Sequence, residues 1–189
     1  MVTPYAATAL VCIAWIVSWI LASRWSSPAS ARPGFGREWK HHVVTIIGIM
    51  LIFGLRAPNE WYGRRLWPVN AMAGWALVAV AVGGFAFTWW ARVHLGKLWS
   101  ATVQRKADHR VVDTGPYGIV RHPIYTGILL ATYATMALKG TIPGVAGAVL
   151  ITLGLWMKAR LEEGWLAQEL GAEAYADYSS RVSMLIPFI

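Results

Sequence analysis

Five apolar stretches, residues 4–23, 43–57, 69–91, 123–138 and 141–158, alternate with polar and basic segments along this chain. A helix needs roughly 20 apolar residues to cross the hydrocarbon of a bilayer, or fewer where neighbouring protein covers its ends. Each stretch therefore predicts a transmembrane helix. The short break Lys139-Gly140-Thr141-Ile142-Pro143 makes the last two a tight antiparallel helical hairpin. Past residue 158 the fifth helix continues as a polar one that Gly171 ends, and a second short helix follows with Tyr175 and Tyr178 on one face. The pattern predicts an all-α, polytopic membrane protein of about five transmembrane helices with short cytoplasmic C-terminal helices. One integral membrane domain covers 1–189, with a two-helix N-terminal part (1–57) and a core (69–189).

Composition supports the membrane reading. Of 189 residues 57% are hydrophobic, and the mean hydropathy of +0.47 is too high for an ordinary soluble domain. Twelve Trp and seven Tyr suit the headgroup zone, where one end of a side chain is apolar and the other wet. The formal charge of +8 is spread between the apolar stretches, which points to anionic lipid, topology and an anionic ligand rather than to nucleic acid. Thirteen of the seventeen Lys and Arg follow the first, third and fifth stretches, so the positive-inside rule puts the N-terminus outside and the C-terminus in the cytoplasm. No Lys or Arg precedes the first apolar run and Arg24 follows it, the reverse of a signal peptide, so residues 1–31 read as an uncleaved anchor despite Ala29-Ser30-Ala31. A lone cysteine, Cys12, leaves no internal disulfide to form.

Two cytoplasmic segments are chemically dense. The first ends in "GPYGIVRHPIYTG", residues 115–127. Pro116 and Pro123 restrict the backbone and bias the residue before each away from helix, so the chain should be extended near His122 and helical from about Ile124. His122 and Tyr125 then converge beside the free N–H groups and positive dipole of a helix start, a spot that favours an anion such as a carboxylate. A plainer reading stands beside this one, in which the motif only turns the chain into the membrane, Arg121 snorkels and His122 caps. The second segment, "ARLEEGWLAQELGAEAYADYSSRVSMLIP", sets Arg160, Glu162 and Glu163 at the membrane exit of the fifth helix. Adjacent carboxylates there are costly unless solvated or paired with cations.

Taken in order, His109 with "RVVDTGPY", Arg121-His122-Pro123 with Tyr125 and Gly127, Glu162-Glu163 with Leu166, Tyr175 with Tyr178, and Arg181 before Pro187 resemble the isoprenylcysteine carboxyl methyltransferase family. Phospholipid N-methyltransferases of membranes share parts of the pattern. The resemblance covers about residues 92–189 and leaves the first two spans unexplained. It implies transfer of a methyl group from S-adenosylmethionine to a lipophilic acceptor at the cytoplasmic face, the acceptor being an isoprenylcysteine-like or other small lipophilic carboxylate. It implies Gly115, Tyr117, His122, Tyr125 and Glu162 as cofactor-binding residues, and Arg160, Arg181 and Glu163 as catalytic ones. Trp99, Tyr117 or Trp165 could stack on the adenine. Lipids and a lipophilic or lipidated substrate are the expected partners, with no nucleic acid and no obligatory protein, in a bacterial inner membrane.

Rival classes remain open at this point. Membrane sterol reductases have a related hinge and use NADPH, whose extra phosphate the Arg105-Lys106-Arg110 group could hold, although the Glu162-Glu163 pair suits a multiply anionic dinucleotide poorly. A transporter or scaffold finds no support in the spans, since no ionisable residue lies deep inside any of them, as a proton or ion path would require. The five histidines, with His41 and His42 placed at the start of the second span, lack the spacing of a zinc site, so no metal is expected.

Overall fold

The computed structural model describes residues 2–23, 35–54, 61–96, 112–170 and 172–188. Among these residues the protein is all-helical, with six helices: α1 (Pro4–Ala22), α2 (Phe35–Phe53), α3 (Ala71–Leu95), α4 (Pro123–Lys139), α5 (Ile142–Leu170) and α6 (Ala172–Arg181). Two short 3₁₀ turns, Trp61–Gly63 and Gly115–Gly118, precede α3 and α4. Three helical segments are long and apolar enough to cross a membrane, Pro4–Ala22, Ala71–Leu95 and Ile142–Gln168, and Trp39–Phe53 is a shorter apolar helix.

Local chemistry sets the helix ends. Thr3 accepts a hydrogen bond from the Ala6 N–H ahead of Pro4, and Asn70 accepts one from Ala73 at 2.8 Å to start α3. Gly140 ends α4 in the left-handed region at φ +60°, and only Gly140 and Thr141 separate α4 from α5. At this end of the bundle Tyr5 donates to the Leu138 carbonyl at 2.8 Å and Trp67 to Ala137 at 2.8 Å, while Lys139 donates to the Ile52 carbonyl. The last carbonyls of α2 and α4 are thereby satisfied where helix hydrogen bonding runs out.

Lipid offers no hydrophobic drive to join helices, so close backbone approach through small residues must hold the bundle together. The extensive pairings are α2 on α5 and α3 on α4. In the first, a Cβ on Gly48 would fall 2.7 Å from the Gly147 carbonyl; in the second, a Cβ on Gly84 would fall 2.6 Å from that of Gly127. Tyr133 and Thr152 share a hydroxyl hydrogen bond of 3.0 Å between α4 and α5. α1 packs less deeply, through Trp15 stacked on Phe85 at 4.7 Å and its indole donating to Thr88 at 2.8 Å, and turns Leu10, Ile13, Ile16 and Ile20 outward.

Two expectations change. Helix α2 starts well before residue 43, so His41 and His42 lie within it rather than at its start, and His41 is buried. Helix α3 runs past residue 91 and encloses Arg92, fully buried, which donates to the Gly96 carbonyl at 2.8 Å and to Ala22 at 3.1 Å. An arginine at a membrane-helix end can be buried when it takes up carbonyls freed by two helix C-termini.

The glycine contacts predict that Gly84→Ala, which pushes a methyl group into the α4 backbone, destabilises the bundle by about 1–3 kcal/mol. Thermal denaturation of the purified protein in detergent measures it, and an unchanged midpoint would mean that α3 and α4 are not packed this closely.

Candidate active site

The two dense segments meet. Gly115 takes φ +58°, which favours glycine, and a Cβ there would lie 2.8 Å from the His94 ring of α3. The turn it opens buries Pro116 and Tyr117, whose carbonyl accepts from the Tyr178 hydroxyl at 2.8 Å. His122 is the N-cap of α4 but makes no capping hydrogen bond with its side chain. The chain after α6 returns instead to complete this end. The N–H groups of Arg121 and His122 donate to the carbonyls of Ser183 (2.8 Å) and Met184 (3.1 Å), and Thr126 donates to Leu185 at 2.7 Å.

That frees the His122 imidazole to face α5. Its Nε2 lies 3.3 Å from Glu163 Oε1, and its Nδ1 lies 3.6 Å from Glu162 Oε2, an ion-pair rather than a hydrogen-bond distance. Tyr125 donates to Glu162 Oε1 at 2.6 Å, and its ring stacks on that of His122 at 5.3 Å with the planes 4° apart. Arg121 donates from Nε to Glu163 Oε1 at 2.7 Å, and its remaining donors reach the carbonyls of Ser179 (2.9 Å) and Val182. Lys158 is 3.9 Å from Glu162 Oε1 and sits over the Tyr125 ring at 5.4 Å. The two adjacent acids of α5 are thus held by Arg121, His122, Tyr125 and Lys158, with Arg160 at 3.9 Å from Glu163 on the exposed side.

Charge follows this geometry. Burial, the largest single influence on His122, disfavours the protonated ring, but the two carboxylates together outweigh it and hold the pKa above the usual 6.5. Burial also holds the Tyr117 phenol well above its usual range, and the Glu162 carboxylate adds to that, which ties Tyr117 to the same cluster electrostatically. Two polar nitrogens near the acidic pair are shielded from solvent and have no hydrogen-bond partner: Trp165 Nε1, three residues past Glu162, and His41 Nε2 on α2. Each such group costs about 1–3 kcal/mol in a closed site, which suits a place kept for a ligand.

Of the residues expected from the sequence, Tyr117, His122, Tyr125, Glu162 and Glu163 are brought together, and Gly115 opens the turn that carries Tyr117. Arg160 stands at the rim, 62% exposed and 3.9 Å from Glu163 Oε2. Arg181 turns away to Asp177 at 2.8 Å and Asp113 at 3.7 Å. Trp99, Arg105, Lys106, His109, Arg110 and Gly171 lie outside the described residues. Sequence reasoning had Arg121 in the family motif or snorkelling and His41 at a span start, and placed neither of them nor Lys158 among the site residues. Arg121 and Lys158 carried a signal, since a cation beside His122 and one four residues before Glu162 are the natural neutralisers of the acids.

Residues 76–168, from α3 through both acids, match the sequence profile described as the isoprenylcysteine carboxyl methyltransferase (ICMT) family. The chain is 32% identical over 112 residues to protein-S-isoprenylcysteine O-methyltransferase B of Arabidopsis thaliana, covering 59% of this chain and 51% of that one. The chain belongs to the isoprenylcysteine carboxyl methyltransferase family. Another Arabidopsis member, protein-S-isoprenylcysteine O-methyltransferase A, is 30% identical over 144 residues (75% of this chain, 66% of that one). Methanethiol S-methyltransferase 2 of Bradyrhizobium diazoefficiens is 28% identical over 178 residues (83% and 66%). The chain spans about half the length of several of the curated relatives it matches. The family profile takes in His122, Tyr125, Glu162 and Glu163 and leaves out α1, α2 and α6.

The cluster makes two predictions. Arg121→Ala removes a partner from a nearly buried carboxylate and should cost about 3–5 kcal/mol in the detergent melt, with Glu163→Gln costing clearly less because it removes the charge as well. Because the folded pKa of His122 lies above the unfolded one, its contribution is complete below about pH 6.5 and is lost as pH rises through the folded value. The melting midpoint should therefore fall as pH rises above about 6.5, and His122→Asn should flatten that slope even though it lowers the midpoint overall.

Proposed function

We propose that this protein transfers a methyl group from S-adenosylmethionine to a lipophilic acceptor at the cytoplasmic face of a membrane, with residues 69–189 as its catalytic core. One observation carries the reading: the hinge before α4 and the acidic stretch of α5, about forty residues apart in sequence, share the Arg121–Glu163, His122–Glu163 and Tyr125–Glu162 contacts. The donor set fits the cofactor's chemistry. Carboxylates suit its ammonium and ribose hydroxyls, an imidazole beside a helix start suits its carboxylate, and Tyr117 and Trp165 offer faces for its base. The unpartnered Trp165 Nε1 beside the acids supports the same assignment. When bound, the cofactor supplies a methyl group on a sulfonium, already activated for in-line displacement.

The protein's own part is then positioning and exclusion of water. Gly115, Tyr117, His122, Tyr125 and Glu162 hold the cofactor. Glu163, fixed by Arg121 and His122, orients the approach, and Arg160 at the rim reaches the acceptor, with Arg181 the second arginine available after a change of partner. Five helices, α1 to α5, span a bacterial inner membrane, α4 and α5 as a hairpin, with the N-terminus outside and the C-terminus in the cytoplasm. A lipophilic acceptor enters sideways between helices, while the soluble cofactor enters from the cytoplasm.

Two acceptor classes are in view. A carboxylate of the isoprenylcysteine kind is ionised at neutral pH and needs no base. A thiol is the second reading, favoured by the Bradyrhizobium relative, whose match covers 83% of this chain and so extends beyond the family profile.

Calorimetry on the detergent-purified protein should detect S-adenosylhomocysteine binding, weakened about tenfold or more by Glu162→Gln with the fold intact by circular dichroism. Binding of NADPH and not of S-adenosylhomocysteine would sink the reading in favour of a reductase.

A further inference from the structure

We infer that His41 is the acceptor-side base of this site, its Nε2 taking the proton of a thiol acceptor as the methyl group is transferred. The inference rests on the methyl-transfer reading and names one of its acceptor classes.

The placement comes from the α2–α5 packing. Gly48 faces Gly147, and the His41 carbonyl lies 3.1 Å from where a Cβ of Gly154 would stand, so the two helices run in opposite directions. Gly154 is one turn before Lys158 and two before Glu162. Side chains lean toward the N-terminus of their own helix, which for α2 is the direction of Lys158 and Glu162. His41 is coupled electrostatically to both, and to His42, whose ring is 4.2 Å away. Only 4% of its surface is exposed, and Nε2 has no hydrogen-bond partner. A histidine enclosed between two membrane helices with a free ring nitrogen is set for something that arrives.

Among the described residues of the cluster, the other candidates for a base are committed. Glu163 is bonded to Arg121 and His122, Glu162 to Tyr125 with Lys158 close by, and both nitrogens of His122 face carboxylates. Tyr125 spends its proton on Glu162. His41 is the histidine of this neighbourhood whose ring nitrogen is not yet engaged.

The step balances as follows. A lone pair on the acceptor sulfur forms the new bond to the methyl carbon, the bond from that carbon to the sulfonium sulfur breaks, and its electron pair stays on the departing thioether. The thiol proton passes to His41 Nε2, and the imidazolium returns it to water at the interface. A carboxylate acceptor carries no such proton, so His41 matters for thiols and not for carboxylates.

The test uses the purified full-length protein in lipid nanodiscs, with S-adenosylmethionine and, in parallel, small alkanethiols and an isoprenylcysteine carboxylate. His41→Phe should bind S-adenosylhomocysteine as the wild type does, by calorimetry, yet lose about 100-fold or more in kcat with thiols. His41→Gln, which keeps a polar side chain there without a basic nitrogen, should lose turnover with thiols in the same way and keep the wild-type kcat with the isoprenylcysteine carboxylate. Thiol turnover by His41→Phe at the wild-type rate overturns the inference, as does a wild-type protein that methylates carboxylates alone. Neither result touches the methyl-transfer reading. A wild-type protein that binds no S-adenosylhomocysteine and labels no acceptor overturns both.

Discussion

The structure depends on how two adjacent carboxylates are held where a membrane helix leaves the bilayer. Glu162 and Glu163 cannot both stay charged in a closed, low-dielectric place without cations in contact, and helix α5 alone offers only Lys158 and Arg160 nearby. Arg121, His122 and Tyr125 come from the other side of the α4–α5 pair. Satisfying the acids therefore forces the start of α4 against the middle of α5. It also forces His122 to leave the capping role that its position would otherwise give it. The fold and the site are in this sense one electrostatic solution.

Supporting contacts keep that solution in register. The glycine-lined seams bring α2 to α5 and α3 to α4 at backbone distance, which fixes heights along the bundle axis more tightly than larger side chains would. Arg121 then serves two tasks, since the guanidinium that neutralises Glu163 also holds the carbonyls of Ser179 and Val182. An arginine can do this because its fork presents several donors in a rigid plane, where a lysine presents a single point charge.

The residues legible in the sequence are those whose chemistry is local. Pro123 fixes the start of α4, Gly140 its end, and the pairing of His122 with Tyr125 three residues on follows from helix geometry alone. The ordered motifs were enough to resemble the right family, and the meeting of hinge and acids follows from that resemblance. What stayed hidden depends on partners far away in the chain. Arg92 counts as a loop charge until one knows that it takes up the Ala22 carbonyl, 70 residues earlier. His41 looks interfacial until α2 begins early and lies along α5 at Gly154. The return of residues 183–185 to the start of α4 carries no periodicity or motif, because backbone pairing of an irregular segment is blind to side-chain type.

That returning segment bears on how the protein is made. Helices can enter the bilayer one after another during synthesis. Arg121 and His122, however, meet the carbonyls that complete their surroundings only about sixty residues later, in the last turn of α6 and just beyond it. The contacts of Arg121, His122 and Tyr125 with the two acids need only the hinge, α4 and α5, whereas these carbonyls come last in the chain. Completion of the start of α4 is thus a late event of biogenesis, separable from the pairing of hinge and acids.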